Sequence, residues 1–136
     1  MTETLTMTPD AQAVLAGFEA LARGDMNAFA AGFHEDATWN HRNDDRLGGI
    51  HAGRDALMEF IAESGRLTEG TLAPVPTAVM DGGDGQVAVV VHITASRPDG
   101  RKWDDKQILL FSVADGLVRA VEQFIGNPAG ATAFWS

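Results

Sequence analysis

The four histidines are the side chains best suited to proton transfer, because the chain contains no cysteine and no tyrosine. An unperturbed imidazole titrates at about pH 6.5, which suits acid–base chemistry near neutral pH. His41 ends a short β-branched and aromatic segment, and His92 stands in an apolar run. Asp105 follows a turn and can orient either imidazole if it faces the same site. The alternatives are that His41 caps a loop in water, that His92 is a hydrogen-bonded core residue and that Asp105 begins a solvated strand.

The other titratable residues favour solvated roles. His34 and His51 are interpreted as surface residues, and Asp44 and Asp45 as a solvated pair in a polar loop. No group of histidines and carboxylates has the spacing of metal ligands, so we expect no metal site. No sequence feature calls for a cofactor, and we expect none.

Composition excludes several kinds of partner. The chain has 136 residues, with 19 acidic and 10 basic side chains and a net charge of −9. Binding to nucleic acid or to an anionic membrane depends on Lys and Arg, so neither partner is expected. Apolar stretches are far shorter than the ~20 residues that cross a bilayer, and no basic cluster precedes an apolar run at the N-terminus. We therefore expect one cytoplasmic domain.

Helices precede strands along the chain, which indicates an α+β fold. Thr8-Pro9 and Gly24 bound a first helix, and Asp25 begins a second. Pro74 and Pro76 predict an edge position or a bulge, and glycine-bearing turns predict an antiparallel meander of the last four strands. The elements predicted after the helical hairpin are a strand over 36–41, a polar loop over 42–52, a helix over 54–64 and strands over 71–80, 86–97, 102–113 and 117–125.

Strand alternation divides each predicted strand into two sets of side chains, because successive residues point to opposite faces. Trp39 and His41 share a face of the first strand, opposite Thr38. On the later strands, the sets that hold most of the polar candidates are His92 with Thr94 and Ser96, Trp103 with Asp105, Gln107, Leu109 and Phe111, and Val121 with Gln123.

Five segments of the chain carry a family resemblance. They are Ala20-Leu-Ala-Arg-Gly-Asp25, Phe33-His-Glu-Asp-Ala-Thr-Trp39, Gly53-Arg-Asp-Ala-Leu57, Asp104-Asp-Lys-Gln107 and Phe111-Ser-Val-Ala-Asp-Gly116. Through them the chain resembles the SnoaL-like and ketosteroid-isomerase-like branch of the nuclear transport factor 2-like superfamily over residues 8–136. The resemblance implies a single SnoaL-like domain over 1–136, with 1–7 flexible, in which three N-terminal helices pack in a curved, mostly antiparallel sheet. The resemblance also implies that this α+β cone encloses one deep pocket and forms a homodimer through the outer sheet face.

The isomerase pattern places the polar sets inside the cone. The lining implied in this way is His41, His92, Thr94, Asp105, Gln107 and Gln123, with Phe18, Trp39, Trp103 and Phe111 as apolar walls. Such a lining suits a small, largely apolar ligand that a few polar contacts orient. His41 falls at the family's catalytic-base position, with Asp105 or His92 as its partner.

The catalytic sets of the superfamily are incomplete in this chain. Ketosteroid isomerases hold an enolate with a tyrosine and a protonated aspartate; Gly17 and Leu109 stand there and cannot donate from their side chains. Leu109 also replaces the acid–base aspartate of SnoaL-type cyclases. His92, Thr94 and Gln123 replace the charged residues of limonene-epoxide-hydrolase-like members. Scytalone-dehydratase-like members use paired histidines and an aspartate, together with tyrosines that this chain lacks.

Two functions of different classes follow. The first is a small-molecule pocket protein that acts as a cofactor-free isomerase, cyclase or dehydratase on an apolar polyketide-, terpenoid- or steroid-like ligand. The alternative is a non-catalytic ligand-binding or protein-association domain, because one fold of this kind hosts many functions. A third interpretation is that the apolar residues Ile108, Leu110 and Phe124 bind a different protein instead of a second copy.

Overall fold

The computed structural model describes residues 7–136, which form a sheet of six strands with four helices. The sheet has the order β2-β1-β6-β5-β4-β3, and within it β1 and β6 run parallel while the other neighbours run antiparallel. The predicted α+β cone is confirmed. Flexibility was predicted for residues 1–7, of which residues 1–6 lie outside the described part of the chain. The elements are α1 (Pro9–Arg23), α2 (Met26–Ala31), β1 (Phe33–His41), β2 (Gly49–Ala52), α3 (Arg54–Leu67), β3 (Ala73–Gly83), β4 (Gln86–Ser96), β5 (Lys102–Ala114), β6 (Leu117–Phe124) and α4 (Pro128–Trp135).

The first two helices begin at the capping residues that the sequence indicates. The Thr8 hydroxyl accepts a hydrogen bond from Ala11 N at 3.2 Å, and Pro9 occupies the first turn, where its missing N–H costs nothing. Gly24 ends α1 in the left-handed region, and Asp25 caps α2. Both predicted starts are confirmed. No helix within residues 7–136 is long and apolar enough to cross a membrane.

The later strands form the predicted meander. Pro74 and Pro76 lie on β3 at the edge of the sheet, where a strand can lack a backbone donor. The register between β3 and β4 shifts between Pro76 and Ala78, so both the edge position and the bulge are confirmed. The inner face of the sheet packs against α1 and α3.

Two elements are absent from the sequence prediction. Residues 49–52, predicted as part of a loop, form β2, which pairs with β1 and ends where α3 begins. Its four residues have no alternating pattern, so the pairing partner decides their conformation. Helix α4 closes the chain; Asn127 caps it and Pro128 occupies its first turn, which is a helix-start signal. Strand β1 also begins at Phe33, three residues before the predicted start of the strand at Asp36.

Strand β4 shows the opposite face to the one predicted. Val91 and Ile93 point inward, whereas His92 and Thr94 point to the outer face. The register with β5 explains this placement, because Val91 lies opposite Gln107 and residues opposite each other on neighbouring strands share a face. A phase error of one residue moves every side chain of a strand to the other face.

Candidate ligand pocket

A cavity of about 390 Å³ lies between the inner face of the sheet and helices α1–α3. Its size falls within the range of small-molecule sites. Apolar residues form most of its wall, phenylalanine, leucine and tryptophan among them, and helix α4 contributes Trp135. The four predicted apolar wall residues, Phe18, Trp39, Trp103 and Phe111, all line this cavity. The walls of this apolar cavity therefore come from both the helices and the sheet.

Three polar side chains of neighbouring strands meet at the cavity wall. His41 ends β1, Gln123 lies opposite it on β6, and Gln107 is on β5. All three side chains are buried and were predicted to face inward. The parallel pairing of β1 with β6 brings residues 82 positions apart into contact, and it is a contact that only the sheet order creates.

The polar side chains form a continuous hydrogen-bonded row, hereafter the polar row. Gln123 Oε1 accepts from Trp39 Nε1 at 2.9 Å and lies 3.0 Å from His41 Nδ1. Gln123 Nε2 donates to Gln107 Oε1 at 2.7 Å, and Gln107 Nε2 donates to Asp105 Oδ2 at 3.1 Å. Each glutamine thus uses one N–H within residues 7–136 and retains a second N–H. Because both side chains line the cavity, these are donors for an oxygen of a ligand.

Asp105 faces inward as predicted, but it contacts neither histidine. Its side chain accepts from Gly126 N at 3.1 Å and from Asn127 N at 3.4 Å, in addition to Gln107. These donors come from the segment between β6 and α4, and they compensate the buried carboxylate. Asp105 therefore orients Gln107 and ties the chain segment before α4 to the polar row.

Asp45 is the partner of His41 that sequence reasoning missed, because it was interpreted as solvated. Its side chain is 0% exposed, and Oδ2 lies 2.9 Å from His41 Nε2. Asn43 Nδ2 donates to the same oxygen at 2.7 Å, and Leu47 N donates to Oδ1 at 2.8 Å. The loop folds back sharply at Gly48, where a Cβ would lie 2.1 Å from Asn43 O. The glycine pair after Asp45 is the signal from which this tight loop could be read.

The environment of Asp45 favours its ionised form. Burial by itself raises the pKa of this carboxyl, but the hydrogen bonds from His41 and Asn43 outweigh burial. The pKa consequently lies below the ordinary value of 3.8. A carboxylate is therefore held beside the imidazole at neutral pH.

His92 and Thr94 do not belong to the pocket, which corrects the predicted lining. The His92 side chain is 43% exposed on the outer face, and its Nε2 lies 2.7 Å from Asp104 Oδ1. Thr94 is exposed on the same face. The polar lining from these strands therefore reduces to His41, Gln107 and Gln123, with Asp105 behind the glutamines.

His51 also differs from its predicted surface position. It is half-buried on β2, and its ring stacks on Phe60 of α3 with centroids 4.3 Å apart. Phe60 in turn contacts His41 edge-on at 5.7 Å. Neither β2 nor its pairing was predicted, so no sequence feature indicated that His51 lies near the site.

Two residues that the sequence resemblance matches with oxyanion-binding positions also line the cavity. Gly17 of α1 and Leu109 of β5 both face it. A Cβ added to Gly17 would meet no atom within 4 Å. The missing side chain thus leaves space in the cavity and supplies no donor.

The comparisons with known proteins establish the class. Residues 14–121 match the SnoaL-like domain family, and the chain belongs to this family. The resemblance seen in the sequence is thereby confirmed. An uncharacterized protein of Mycobacterium tuberculosis (strain ATCC 25618 / H37Rv), Rv0034, is 28% identical over 132 residues, which cover 97% of this chain and 100% of that protein.

Solved structures share the architecture. Bal32a from a soil-derived mobile gene cassette has a TM-score of 0.91 at 28% identity, covering 94% of this chain and 97% of Bal32a. TerC, co-crystallized with polyporic acid, has a TM-score of 0.82 at 21% identity and covers 93% and 98% of the two chains. RV0760c of M. tuberculosis, in complex with estradiol-17β-hemisuccinate, has a TM-score of 0.75 at 12% identity and covers 86% and 93%. The similarity to TerC and RV0760c, at these sequence identities, shows the shared fold alone.

Proposed function

We propose that this protein binds a small, largely apolar ligand that carries at least one oxygen acceptor. The observation that carries the proposal is the polar row at the wall of an otherwise apolar cavity of about 390 Å³. Apolar walls supply affinity through burial, and a few fixed polar groups supply orientation. A polyketide-, terpenoid- or steroid-like molecule meets both requirements.

The second N–H groups of Gln107 and Gln123 define where the oxygen binds. Both amides are held in place, Gln107 by Asp105 and Gln123 by Trp39. A carbonyl oxygen that accepts from them gains hydrogen bonds worth roughly 0.5–1.5 kcal/mol each. A hydrocarbon of the same shape leaves these donors unpaired and is disfavoured. TerC and RV0760c, which share the fold and were crystallised with small organic molecules, support a ligand inside the cone.

The second candidate function is catalysis by cofactor-free acid–base chemistry, of isomerase, cyclase or dehydratase type. The specific observation in its favour is the buried pair of His41 and Asp45, because a ligand-binding wall does not need a desolvated ionisable pair. His41 lines the cavity itself and also contacts Gln123. One protein of similar fold, from Sinorhizobium meliloti, is described as a putative polyketide cyclase. His41 as the base remains a prediction, and in this arrangement both of its ring nitrogens already have partners.

A thermal-shift screen of apolar ketones, lactones, epoxides and matching hydrocarbons tests the binding proposal. We expect ketones to bind more tightly than the hydrocarbons, and Gln107→Leu to weaken ketone binding about five- to tenfold, the equivalent of one hydrogen bond. Gln86→Leu is the matched control, because Gln86 is an exposed strand glutamine outside the cavity. Equal binding of ketone and hydrocarbon by the unaltered protein would contradict the proposal.

Product analysis of the hits separates the two candidate functions. Turnover that His41→Gln abolishes, with ligand binding retained, favours the enzyme. Binding without turnover favours the binding protein, and full turnover by His41→Gln excludes His41 from the chemistry. The free energy of unfolding of His41→Gln is measured in parallel, because Asp45 loses its ion-pair partner, His41, in this variant.

We propose in addition that the protein is a cytoplasmic homodimer paired through the outer face of its sheet. Ile108 and Phe124 lie opposite each other on β5 and β6, with 46% and 42% exposure. Such adjacent apolar side chains favour cover by another surface. A second copy of the chain is the proposed partner.

A further inference from the structure

The two ring nitrogens of His41 both face acceptors. Nδ1 lies 3.0 Å from Gln123 Oε1, and Nε2 lies 2.9 Å from Asp45 Oδ2. A neutral imidazole has one N–H and one bare nitrogen, so it can donate to only one of two acceptors. The protonation state of the ring therefore depends on whether either neighbour can reverse its role.

Gln123 cannot reverse its role because Trp39 fixes its orientation. The indole N–H is a donor only, and it points to Gln123 Oε1 at 2.9 Å. Rotating the amide by half a turn would set two N–H groups against each other. The hydrogen bond at the amide nitrogen supports the same orientation of Gln123, since Nε2 donates to Gln107 Oε1 at 2.7 Å. His41 Nδ1 must consequently carry a proton.

Asp45 is held as an acceptor by its other neighbours. Leu47 N donates to Oδ1, and Asn43 Nδ2 donates to Oδ2, so both carboxylate oxygens already receive hydrogen bonds. The other titratable side chains near the ring are His51, beyond Phe60, and Asp105, beyond the two glutamines.

We infer that Asp45 is a positioning residue that holds His41 as an imidazolium, protonated on both nitrogens. This inference rests on the proposed function and deepens it. In this state His41 has no bare nitrogen with which to take a proton from a ligand. The ion pair is a dipole whose positive end points to Gln123, and it strengthens the remaining amide N–H as a donor. The ligand class favoured at this point has an oxygen that is negative or becomes negative, such as a carboxylate or an enolate.

Nitrogen NMR of the histidine side chains in the full-length, ¹⁵N-labelled protein tests this state without any ligand. At about pH 7.5, where a free imidazole is mostly neutral, we expect both His41 nitrogens to give the signals of protonated nitrogens. Asp45→Asn should convert His41 to a neutral ring with one bare nitrogen. Asp44→Asn, which alters the exposed neighbouring aspartate, should leave the His41 signals unchanged.

Three results would overturn the inference. The first is one bare nitrogen at His41 in the unaltered protein, which would indicate a neutral pair with the proton on Asp45. The second is an unchanged doubly protonated ring in folded Asp45→Asn, and the third is the same change in Asp44→Asn. The spectrum of the unaltered protein decides the first point even if Asp45→Asn fails to fold. A failed ligand screen with a doubly protonated His41 would refute the proposed function and leave the protonation state standing.

Discussion

His41 and Asp45 are four residues apart in the chain and 2.9 Å apart inside the protein. Two desolvated charges are costly unless each also receives or gives further hydrogen bonds. Here the loop around Asn43 and Leu47 supplies donors to the carboxylate, and Gln123 supplies an acceptor to the ring. A buried pair with this much support, at the wall of a cavity, is the residue-scale feature most informative about function.

Asp45 makes the free energy of unfolding depend on pH. Its pKa is lower in the folded chain than the ordinary 3.8, so the unfolded chain binds more protons between the two values. The stabilisation is present above 3.8 and is lost as the pH falls through the lower folded value. Asp45→Asn should therefore lower the free energy of unfolding at neutral pH by about 1.5–3 kcal/mol. Urea unfolding from about pH 7 down to about pH 2 measures this difference, which should shrink in acid.

Asp44→Asn serves as the control for this experiment, because Asp44 is exposed. Its unfolding curve should follow that of the unaltered protein at each pH. Parallel pH profiles of the unaltered protein and Asp45→Asn, with a constant gap, would refute the assigned role of the carboxylate.

Helix α1 shows how an element shapes the cavity. Gly17 lies in the middle of α1, where glycine costs about 0.5–1 kcal/mol relative to alanine. Phe18 beside it packs edge-on against Phe111 of β5, with centroids 5.9 Å apart. Phe18 thus anchors α1 to the sheet, and the neighbouring Gly17 leaves space in the cavity.

Substitutions at Gly17 should separate stability from binding. Because a Cβ there meets no atom within 4 Å, Gly17→Ala should raise the free energy of unfolding by about 0.5–1 kcal/mol. Gly17→Leu should fill part of the cavity and weaken a ligand found by the screen at least about tenfold, since overpacking forces displacement. Chemical denaturation and titration calorimetry measure the two effects.

Ala16→Leu places the same side chain on an exposed position of the same helix. It should leave ligand affinity unchanged. If Gly17→Leu and Ala16→Leu bind the ligand equally well, the ligand does not occupy the space beside α1.

At the scale of the whole molecule, the two faces of the sheet differ in burial and composition. The inner face carries the core and the polar row, whereas the outer face carries His92 with Asp104 and the apolar pair of Ile108 and Phe124. Arg42 lies over the Phe124 ring at 5.0 Å and covers part of it. The net charge of −9 opposes nonspecific association, so pairing would have to come from this defined patch.

The proposed homodimer gives a direct prediction of mass. Sedimentation or light scattering should report twice the chain mass of 14.5 kDa, and Ile108→Lys should convert the protein to single chains. Burying a lysine in the paired face leaves an uncompensated charge. Ile50→Lys is the control, because Ile50 is 66% exposed on β2 at the far edge. A single-chain mass for the unaltered protein would refute the homodimer and leave the patch to a different protein.

Much of the fold could be predicted because its determinants are local. Thr8, Gly24 and Asp25 act on their own helix ends, and glycine-bearing turns join strands that are neighbours in the chain. Alternation likewise grouped His41 with Trp39 and Gln123 with Val121, and the family resemblance indicated that these sets face inward.

The tertiary structure decided what local patterns leave open. The isomerase pattern predicted the wrong face of β4, and the register with β5 shows that Val91 faces inward and His92 faces outward. The burial of Asp45 depends on a loop folding over the end of β1, and a polar loop sequence has no periodicity that reports it. The sequence by itself thus determined the cone and most of its lining. Only packing in three dimensions chose the partner of His41, because that contact arises from the loop's path and not from any repeating pattern.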